Sequence, residues 1–537
     1  MVTLYNKIDH NIKCSDYRIL VIDFGSQYTQ LLLRRIRELG VYSELFSWNI
    51  SESQISAFNP NGIILSGGPH SVVNLHFPCI PAFVFQLGIP IFGICYGMQI
   101  MSQQLGGEVQ HLTTQREFGC TQITLITESI LTNDMYDYVD SITGYSVLDV
   151  WMSHGDIVTT VPKGFTVIGI NKYHQVAVMA NEDRRLYGVQ FHPEVTHTKQ
   201  GKNILERFIM CICSCKSSWK IANIIDNIVM DIRVKVGNDK VVLGFSGGID
   251  SLITALLLRR AIGCQFICMF IDNGLLLHRE FDRIKDFCNK NYGLDIIYVP
   301  KEQLFLDALI GVVDPEEKRR VIGRIFTEVF EEQISNLVPT IKWLVQGTIY
   351  SDVIESGVSL FSFKNVIKSH HNVSCFSGIV NVQLLEPIRN LFKDEVRSIG
   401  LELGLPHNIV YRYPFPGPGL AIRILGEVRR EYCDILRKVD FIFIEELKRD
   451  NLYYKISQAF AVFLPIHSVG IQGDQRKYEW VISLRAVETV DFMTARWAYL
   501  SYDFLNKVSN RIVNEVEGIS RVVYDISSKP PATIEWE

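Results

Sequence analysis

The sequence predicts an α/β protein: two successive parallel-sheet α/β domains, followed by a smaller α+β domain. Three observations carry that expectation. Apolar runs ending in glycine turns alternate with runs of helical spacing, the order that builds parallel sheets. The alternation stops near residues 216–225 and restarts at residue 240. A stretch rich in proline and glycine, YRYPFPGPGLAIRI (411–424), then sets off a last region of mixed strands and helices.

The elements read in order. Residues 1–17 form a polar tail without the apolar segment of a signal peptide. YRILVIDFGS (17–26) is a strand closed by a glycine turn, and QLLLRRIREL (30–39) has helical spacing. NGIILSGGP (61–69), IPIFGICYG (89–97) and RLYGVQFHPE (185–194) repeat the strand-then-turn form. SSWKIANIIDNIVMDIRVKVG (217–237) is an amphipathic helix or linker. The second series starts at KVVLGFSGGIDSLITALLLRRAIG (240–263) and continues through CQFICMFIDNG (264–274) and IKWLVQGTIYSDVIES (341–356). These readings divide the 537 residues into a tail, 18–215, 216–411 and 412–537, within the three or four domains that roughly 150 residues per domain allows.

Composition removes several classes. Hydrophobic residues make up 47% and charged residues 21%, enough for sizeable cores. The net charge of −5 gives no basic excess for nucleic acid. No apolar run has the ~18 residues of a membrane span. Twelve cysteines in so long a chain are not a disulfide scaffold. CICSC (Cys211, Cys213, Cys215) lacks the spacing and the partner cluster of a zinc site and reads as thiols at a helix end in a reducing cytosol.

Two glycine corners carry chemistry. Cys95 stands between an apolar strand and a helix, exposed at the carboxyl end of the sheet and close to a helix N-terminus that favours thiolate. Gly93 and Gly97 permit the sharp turn of a nucleophile elbow. His192 follows another strand, stiffened by Pro193, with Glu194 placed to fix its tautomer. Gly68 of the SGGP turn and the N–H of Tyr96 supply oxyanion donors. A lone cysteine or histidine is more often inert; three complementary glycine corners in one expected sheet are harder to dismiss. The second corner is VVLGFSGGIDS, a strand, serine-glycine loop and helix whose N–H groups face an anion. It is not a Walker A loop.

GICYGMQ, SGGP and GVQFHPEV resemble the class I glutamine amidotransferase domain over about residues 18–212. That resemblance implies a Cys95–His192–Glu194 triad that frees ammonia through a thioester, with Gln99, Ser153, His154 and Gly155 on the glutamine. SGGIDS resembles the ATP pyrophosphatase family, which implies that Ser246, Gly247, Gly248, Ile249, Asp250 and Ser251 cradle pyrophosphate. Asp250 would be the Mg²⁺ ligand and Asp272 of FIDNG a further nucleotide contact.

GTIYSDVIES, IKSHHNV, EPIRNLFKDEVR, PFPGPGLAIRILGEV, DFMTARWA and RVVYDISSKPPATIEWE resemble the glutamine-hydrolysing GMP synthase family over nearly the whole chain. This implies adenylation of xanthosine 5′-monophosphate (XMP) by ATP and displacement of AMP by ammonia, giving GMP, AMP, pyrophosphate and glutamate. The implied lid-side catalytic group is Asp352, Glu355 and Lys368. Lys393 and Asp394 would couple domains, and Arg319, Gln458, Asp474, Arg521, Lys529 and Glu535 would contact XMP. Residues 412–537 would be a dimerisation domain, making the enzyme a cytoplasmic homodimer that acts on small molecules and needs neither nucleic acid nor membrane. His70 after SGGP departs from the amidotransferase pattern, and Ser351 in YSDVIES and NVSCFSGIV after the histidines depart from the synthase pattern. A synthetase with a different acceptor and a non-catalytic nucleotide-binding regulator are the alternatives. The tail itself, with Ile534 and Trp536 beside two prolines, is expected to dock, although most termini fray.

Overall fold

The structure is a computed structural model that describes residues 17–26, 28–74, 77–111, 117–337, 341–353, 382–472, 474–489, 492 and 494–537. It separates into two compact units, 1–227 and 228–537, dividing within the helix Ile221–Val236.

In the first unit a ten-stranded sheet runs in the order Tyr42–Ser47, Arg18–Asp23, Gly62–Leu65, Ile91–Ile94, Leu186–Val189, Val176–Asn181, Thr166–Asn171, Glu117–Leu125, Ser146–His154, Tyr138–Val139. The first five are mutually parallel. Ile19 to Ile22, Ile63 to Leu65 and Ile91 to Ile94 are buried throughout, which is why these strands read as unbroken apolar runs rather than as alternation. The other five are antiparallel to their neighbours and extend the sheet by hairpins. Sequence expectation stopped at the parallel half. The hairpin strands alternate in and out, as in Ser146–His154, and lack the glycine corners that signalled the rest.

Local signals set the ends. Ser51 caps the helix Glu52–Phe58 by accepting from the Gln54 N–H at 3.3 Å, and the Gln54 side chain returns to the Ser51 N–H at 2.9 Å. Cys213 and Cys215 are buried behind the sheet while Cys211 is exposed, and burial pushes the Cys215 thiol up to about 12.

The second unit holds an all-parallel sheet, Ile296–Pro300, Phe266–Asp272, Lys240–Gly244, Ile341–Val345, Gln383–Leu385. A long antiparallel hairpin, Gln458–Gln472 with Gln475–Glu488, carries Arg496–Trp497 and Ile519–Asp525 along its second strand. The amphipathic helix Arg430–Arg449 presents Leu436, Val439, Phe443 and Leu447 to one core that also takes in Val242, Leu275, Ile325, Phe463 and Ile482. The expected division at 411/412 therefore separates two sheets but no break in the core. Apolar side chains from both sides are buried against each other there.

Candidate active sites

The parallel strand register assembles the first site. Leu65 pairs with Gly93, and Ile94 with Val189, so the turns after the three strands lie side by side. Cys95 caps the helix Tyr96–Gln104 at φ +51°, ψ −108°, a conformation that costs a non-glycine residue about 1–3 kcal/mol. Its N–H donates to the Val189 carbonyl at 2.8 Å. The elbow is tight: a Cβ on Gly97 would sit 2.2 Å from the Leu65 carbonyl oxygen, and one on Gly93 would sit 2.6 Å from that of Gly97.

His192 Nδ1 lies 2.8 Å from Glu194 Oε1, and their side chains are 4% and 3% exposed. Burial by itself lowers the imidazole pKa. The Glu194 charge and hydrogen bonds with Cys95 and Glu194 outweigh it and hold the ring well above its ordinary value. The backbone of His192 is fixed at both ends, its N–H donating to Trp151 O at 3.0 Å and its carbonyl accepting from Thr198 Oγ1 at 2.7 Å. Glu194 Oε2 is buried without a hydrogen-bond partner among the described residues.

The remaining predicted groups line this corner. A Cβ on Gly67 would meet His192 Cε1 at 3.1 Å, which places the SGGP turn beside the ring, and Gly68 is packed on the Phe24 backbone. Tyr96 opens its helix, so its N–H has no intrahelical acceptor. Ser153 O accepts from the Cys95 thiol at 3.8 Å. Gln99 is drawn into the wall, where its Nε2 donates to Asp156 O at 2.9 Å. His154 is buried too, with Nδ1 3.0 Å from Asp156 O and Nε2 3.4 Å from Glu117 Oε2. Gly155 lies between them in the same turn. Burial raises the Glu117 carboxyl, but hydrogen bonds from His154 and Asn171 prevail and hold it below its usual range. His70 stands edge-on to Tyr96, with ring centres 6.4 Å apart.

In the second unit the serine-glycine loop is held open by its own hydroxyls. Ser246 Oγ accepts from the Gly248 N–H at 3.3 Å and lies 3.1 Å from Ser251 Oγ, which donates to Gly248 O at 3.0 Å. Gly247 has φ +76°, and a Cβ there would strike Ile284 Cδ1 at 2.6 Å. Ile249, Asp250 and Ser251 begin the helix Ile249–Ile262, so their N–H groups point out of its positive end. Lys393 Nζ meets Asp250 Oδ2 at 2.6 Å, while Asp250 Oδ1 is buried and unpartnered among the described residues. Asp394 is exposed in the next position. Asp272 uses both oxygens, accepting from the Gly274 N–H at 2.9 Å and the Tyr298 hydroxyl at 2.5 Å. Asp352 Oδ2 accepts from the Ile349 N–H at 3.0 Å. Glu355 and Lys368 lie outside the described residues.

The tail docks. Glu535 takes a two-point ion pair from Arg423 at 2.9 and 3.1 Å and a 2.8 Å hydrogen bond from Gln458 Nε2. Glu537 pairs with Lys318, a fully buried cation that also donates to Ala421 O at 3.1 Å and Ile424 O at 2.7 Å. Trp536 Nε1 donates to Asp525 Oδ2 at 2.9 Å. Arg319 lies beside Lys318 and pairs with Glu316 at 2.5 Å. Lys529 Nζ donates to Phe492 O at 2.7 Å. Arg521 Nε donates to Ser468 Oγ at 2.7 Å, and Asp474, at φ +60°, sits at the hairpin tip. Gln458 and Glu535 thus converge, while Asp474 does not join them: Gln458 opens a strand of fifteen residues, so about 45 Å of hairpin lies between it and the tip. Sequence reasoning missed Arg423 and Lys318. An arginine inside the apolar run GLAIRILG was the available signal for the first; Lys318 is hidden in a run of charges.

Comparison with known proteins is consistent across the chain. The family description Glutamine amidotransferase class-I matches residues 20–212, and GMP synthase C terminal domain matches residues 445–536. The chain is 80% identical to "GMP synthase [glutamine-hydrolyzing]" of Blochmanniella pennsylvanica, over 98% of this chain and 100% of that protein. Identity to the protein of the same name is 62% in Blochmanniella floridana, over 98% of this chain and 100% of that one. In Sodalis glossinidius it is 59%, over 97% and 99%.

Proposed function

The chain belongs to the family of glutamine-hydrolysing GMP synthases, and from that premise we propose that it aminates XMP to GMP with ammonia freed from glutamine, at the expense of ATP. The observation that carries the first half is the buried Cys95–His192–Glu194 arrangement at adjoining strand ends. In this reading His192 takes the thiol proton and Glu194 balances the resulting imidazolium. Sulfur attacks the carboxamide carbon of glutamine, and the oxyanion meets the N–H groups of Gly68 and Tyr96. The imidazolium returns its proton to the leaving nitrogen, ammonia departs, and water splits the thioester to glutamate and thiolate. Ser153, His154, Gly155 and Gln99 shape the glutamine pocket.

The second half uses the serine-glycine loop. Ser246, Gly247, Gly248, Ile249 and Ser251 offer hydroxyls and N–H groups to the β and γ phosphates of ATP, and Lys393 is close enough to share its charge between Asp250 and a phosphate. The free Asp250 Oδ1 is a fit for Mg²⁺ arriving with ATP, an ion held by few carboxylates plus phosphate oxygens, whose charge would neutralise the departing pyrophosphate. No cluster of three or more metal-binding side chains occurs among the described residues, in keeping with an ion brought by substrate. Asp272 completes the nucleotide side, and Asp352 would act in the lid-side catalytic group with Glu355 and Lys368, which lie outside the described residues.

For XMP, the Arg423-anchored Glu535 and Gln458 offer a base-reading pair, with Arg319 and Lys529 as phosphate cations. Lys393 and Asp394 would relay the state of this site to the glutaminase. A homodimer is part of the proposal, because the outer half of the hairpin exposes Ile466, Ile471 and Tyr478 at 57%, 78% and 67%. A cytoplasmic setting accords with free thiols and with the lack, among the described residues, of a helix long and apolar enough to cross a membrane.

One pair of variants tests the division of labour. Cys95→Ala abolishes GMP formation from glutamine and leaves formation from added ammonia. Asp250→Asn does the reverse, keeping glutamine hydrolysis and losing AMP release. Loss of both activities in either variant overturns the assignment, and AMP release with acceptors other than XMP restores the alternative synthetase.

A further inference from the structure

We propose that Gln190 is a hydrogen-bond donor to the nucleophilic sulfur and that Gln99 is the positioning residue that orients it. The inference rests on the glutaminase reading of Cys95 and adds a group to it. Val189 pairs with Ile94 in the parallel register, so Gln190 and Cys95 are the next residues of neighbouring strands. Gln190 Nε2 lies 3.7 Å from Cys95 Sγ, an N–H···S distance, and the side chain is 1% exposed.

The direction of this amide follows from its neighbours. Gln99 Nε2 lies 2.9 Å from the backbone oxygen of Asp156, which can only accept, so that end of Gln99 is its NH₂. The same nitrogen lies 3.3 Å from the other end of the Gln190 amide, which must then be the oxygen. A flipped Gln190 would set two NH₂ groups against each other in a buried site. The chain of bonds runs from Asp156 O through Gln99 and Gln190 to sulfur, and it leaves an N–H aimed at Sγ.

A buried donor on sulfur acts at both ends of the reaction. Before attack it stabilises negative sulfur against the low-dielectric surroundings. It lowers nucleophilicity at the same time, but by less than half as much on a logarithmic scale. When water cleaves the thioester, the C–S bond breaks and its electron pair returns to sulfur, which the same N–H receives. His192 moves the protons in both half-reactions; Gln190 moves none.

Full-length Gln190→Met keeps the volume and removes the donor, and Gln190→Glu keeps the acceptor towards Gln99 while setting a carboxylate against sulfur. The expected result is a fall in glutaminase kcat of about 10- to 100-fold for Gln190→Met and more for Gln190→Glu, the scale of a hydrogen bond to a charged group. KM for glutamine and ammonia-driven GMP formation stay at wild-type levels. Iodoacetamide alkylation of the Cys95 peptide, followed by mass spectrometry at fixed pH, slows in both variants. A packing role for Gln190 would leave Gln190→Met close to wild type in alkylation. Wild-type kcat in either variant, or a loss confined to KM, overturns the proposal. The Cys95→Ala control separates the two levels: if that variant still hydrolyses glutamine, the glutaminase reading falls first.

Discussion

Replacing Glu194 by glutamine removes one charge and almost no volume from a pair whose side chains are 4% and 3% exposed. A charge-assisted hydrogen bond contributes about 1.5–3 kcal/mol, which is about 10- to 150-fold in kcat if it is felt fully in the transition state. The new NH₂ stands where Oε2 now lies, in a buried position without a partner, so the rotamer that presents the amide oxygen to His192 leaves that donor unsatisfied. The alternative rotamer offers an N–H to Nδ1 and selects the wrong tautomer. Either way glutamine hydrolysis falls by at least the lower bound, while ammonia-driven synthesis in the same preparation is unchanged. The pH behaviour has a defined sign. His192 now titrates well above its ordinary value of about 6.5, so its charged form stabilises the fold fully below that value, and the contribution is lost as pH rises through the folded pKa. With the Glu194 charge gone, a leading raising influence is lost while burial and the contacts with Cys95 remain, so the ring's pKa falls. Glu194→Gln therefore keeps less of the stabilisation that the wild type gains towards acid. The His192 ring protons followed by NMR read this directly. An unchanged titration, or a kcat within about twofold of wild type, refutes the account of the pair.

Other variants probe the supports. Gly97→Ala forces a Cβ to 2.2 Å from the Leu65 carbonyl, so the elbow must shift; overpacking of about 1–3 kcal/mol and loss of glutaminase with ammonia-driven synthesis intact are expected. Lys318→Met strands the Glu537 carboxylate, 8% exposed, and breaking such a pair costs about 3–5 kcal/mol. KM for XMP in the ammonia-driven assay rises, and the double variant Lys318→Met/Glu537→Gln loses less than the sum of the singles. Arg423→Ala removes two of the three donors on the Glu535 carboxylate, leaving Gln458, and should raise KM for XMP while glutamine hydrolysis stays at its basal rate.

What the sequence made legible follows from how each feature is encoded. A strand buried on both faces is an unbroken apolar run, and the corner after it needs glycine where another backbone passes within van der Waals contact. Gly93, Gly97 and Gly247 are such positions, so both candidate sites could be read from single short stretches. Cys95 and His192 were legible for the same reason, since each follows a run of this kind. Gln190 was not: it lies inside the quoted GVQFHPE, but its role depends on strands Ile91–Ile94 and Leu186–Val189 being neighbours in register. Lys318 and Glu537 are 219 residues apart, and nothing local to either announces the other. The hairpin shows the limit most plainly. Apolar runs, AFAVFL and WVISL, mark its two strands, yet the first strand has an inner half buried at Phe460 to Phe463 and an outer half exposed at Ile466 and Ile471. Patterning says which side chains share a face and is silent on how far along the strand the core extends. That distance decides chemistry. At about 3.3 Å per residue, Arg521, which pairs with Val481 opposite Leu464, stands about 20 Å from Gln458, and Asp474 stands more than twice as far. A nucleotide held by Glu535 and Gln458 is much shorter than that span, so the tip residue serves a different surface from the one that reads the base.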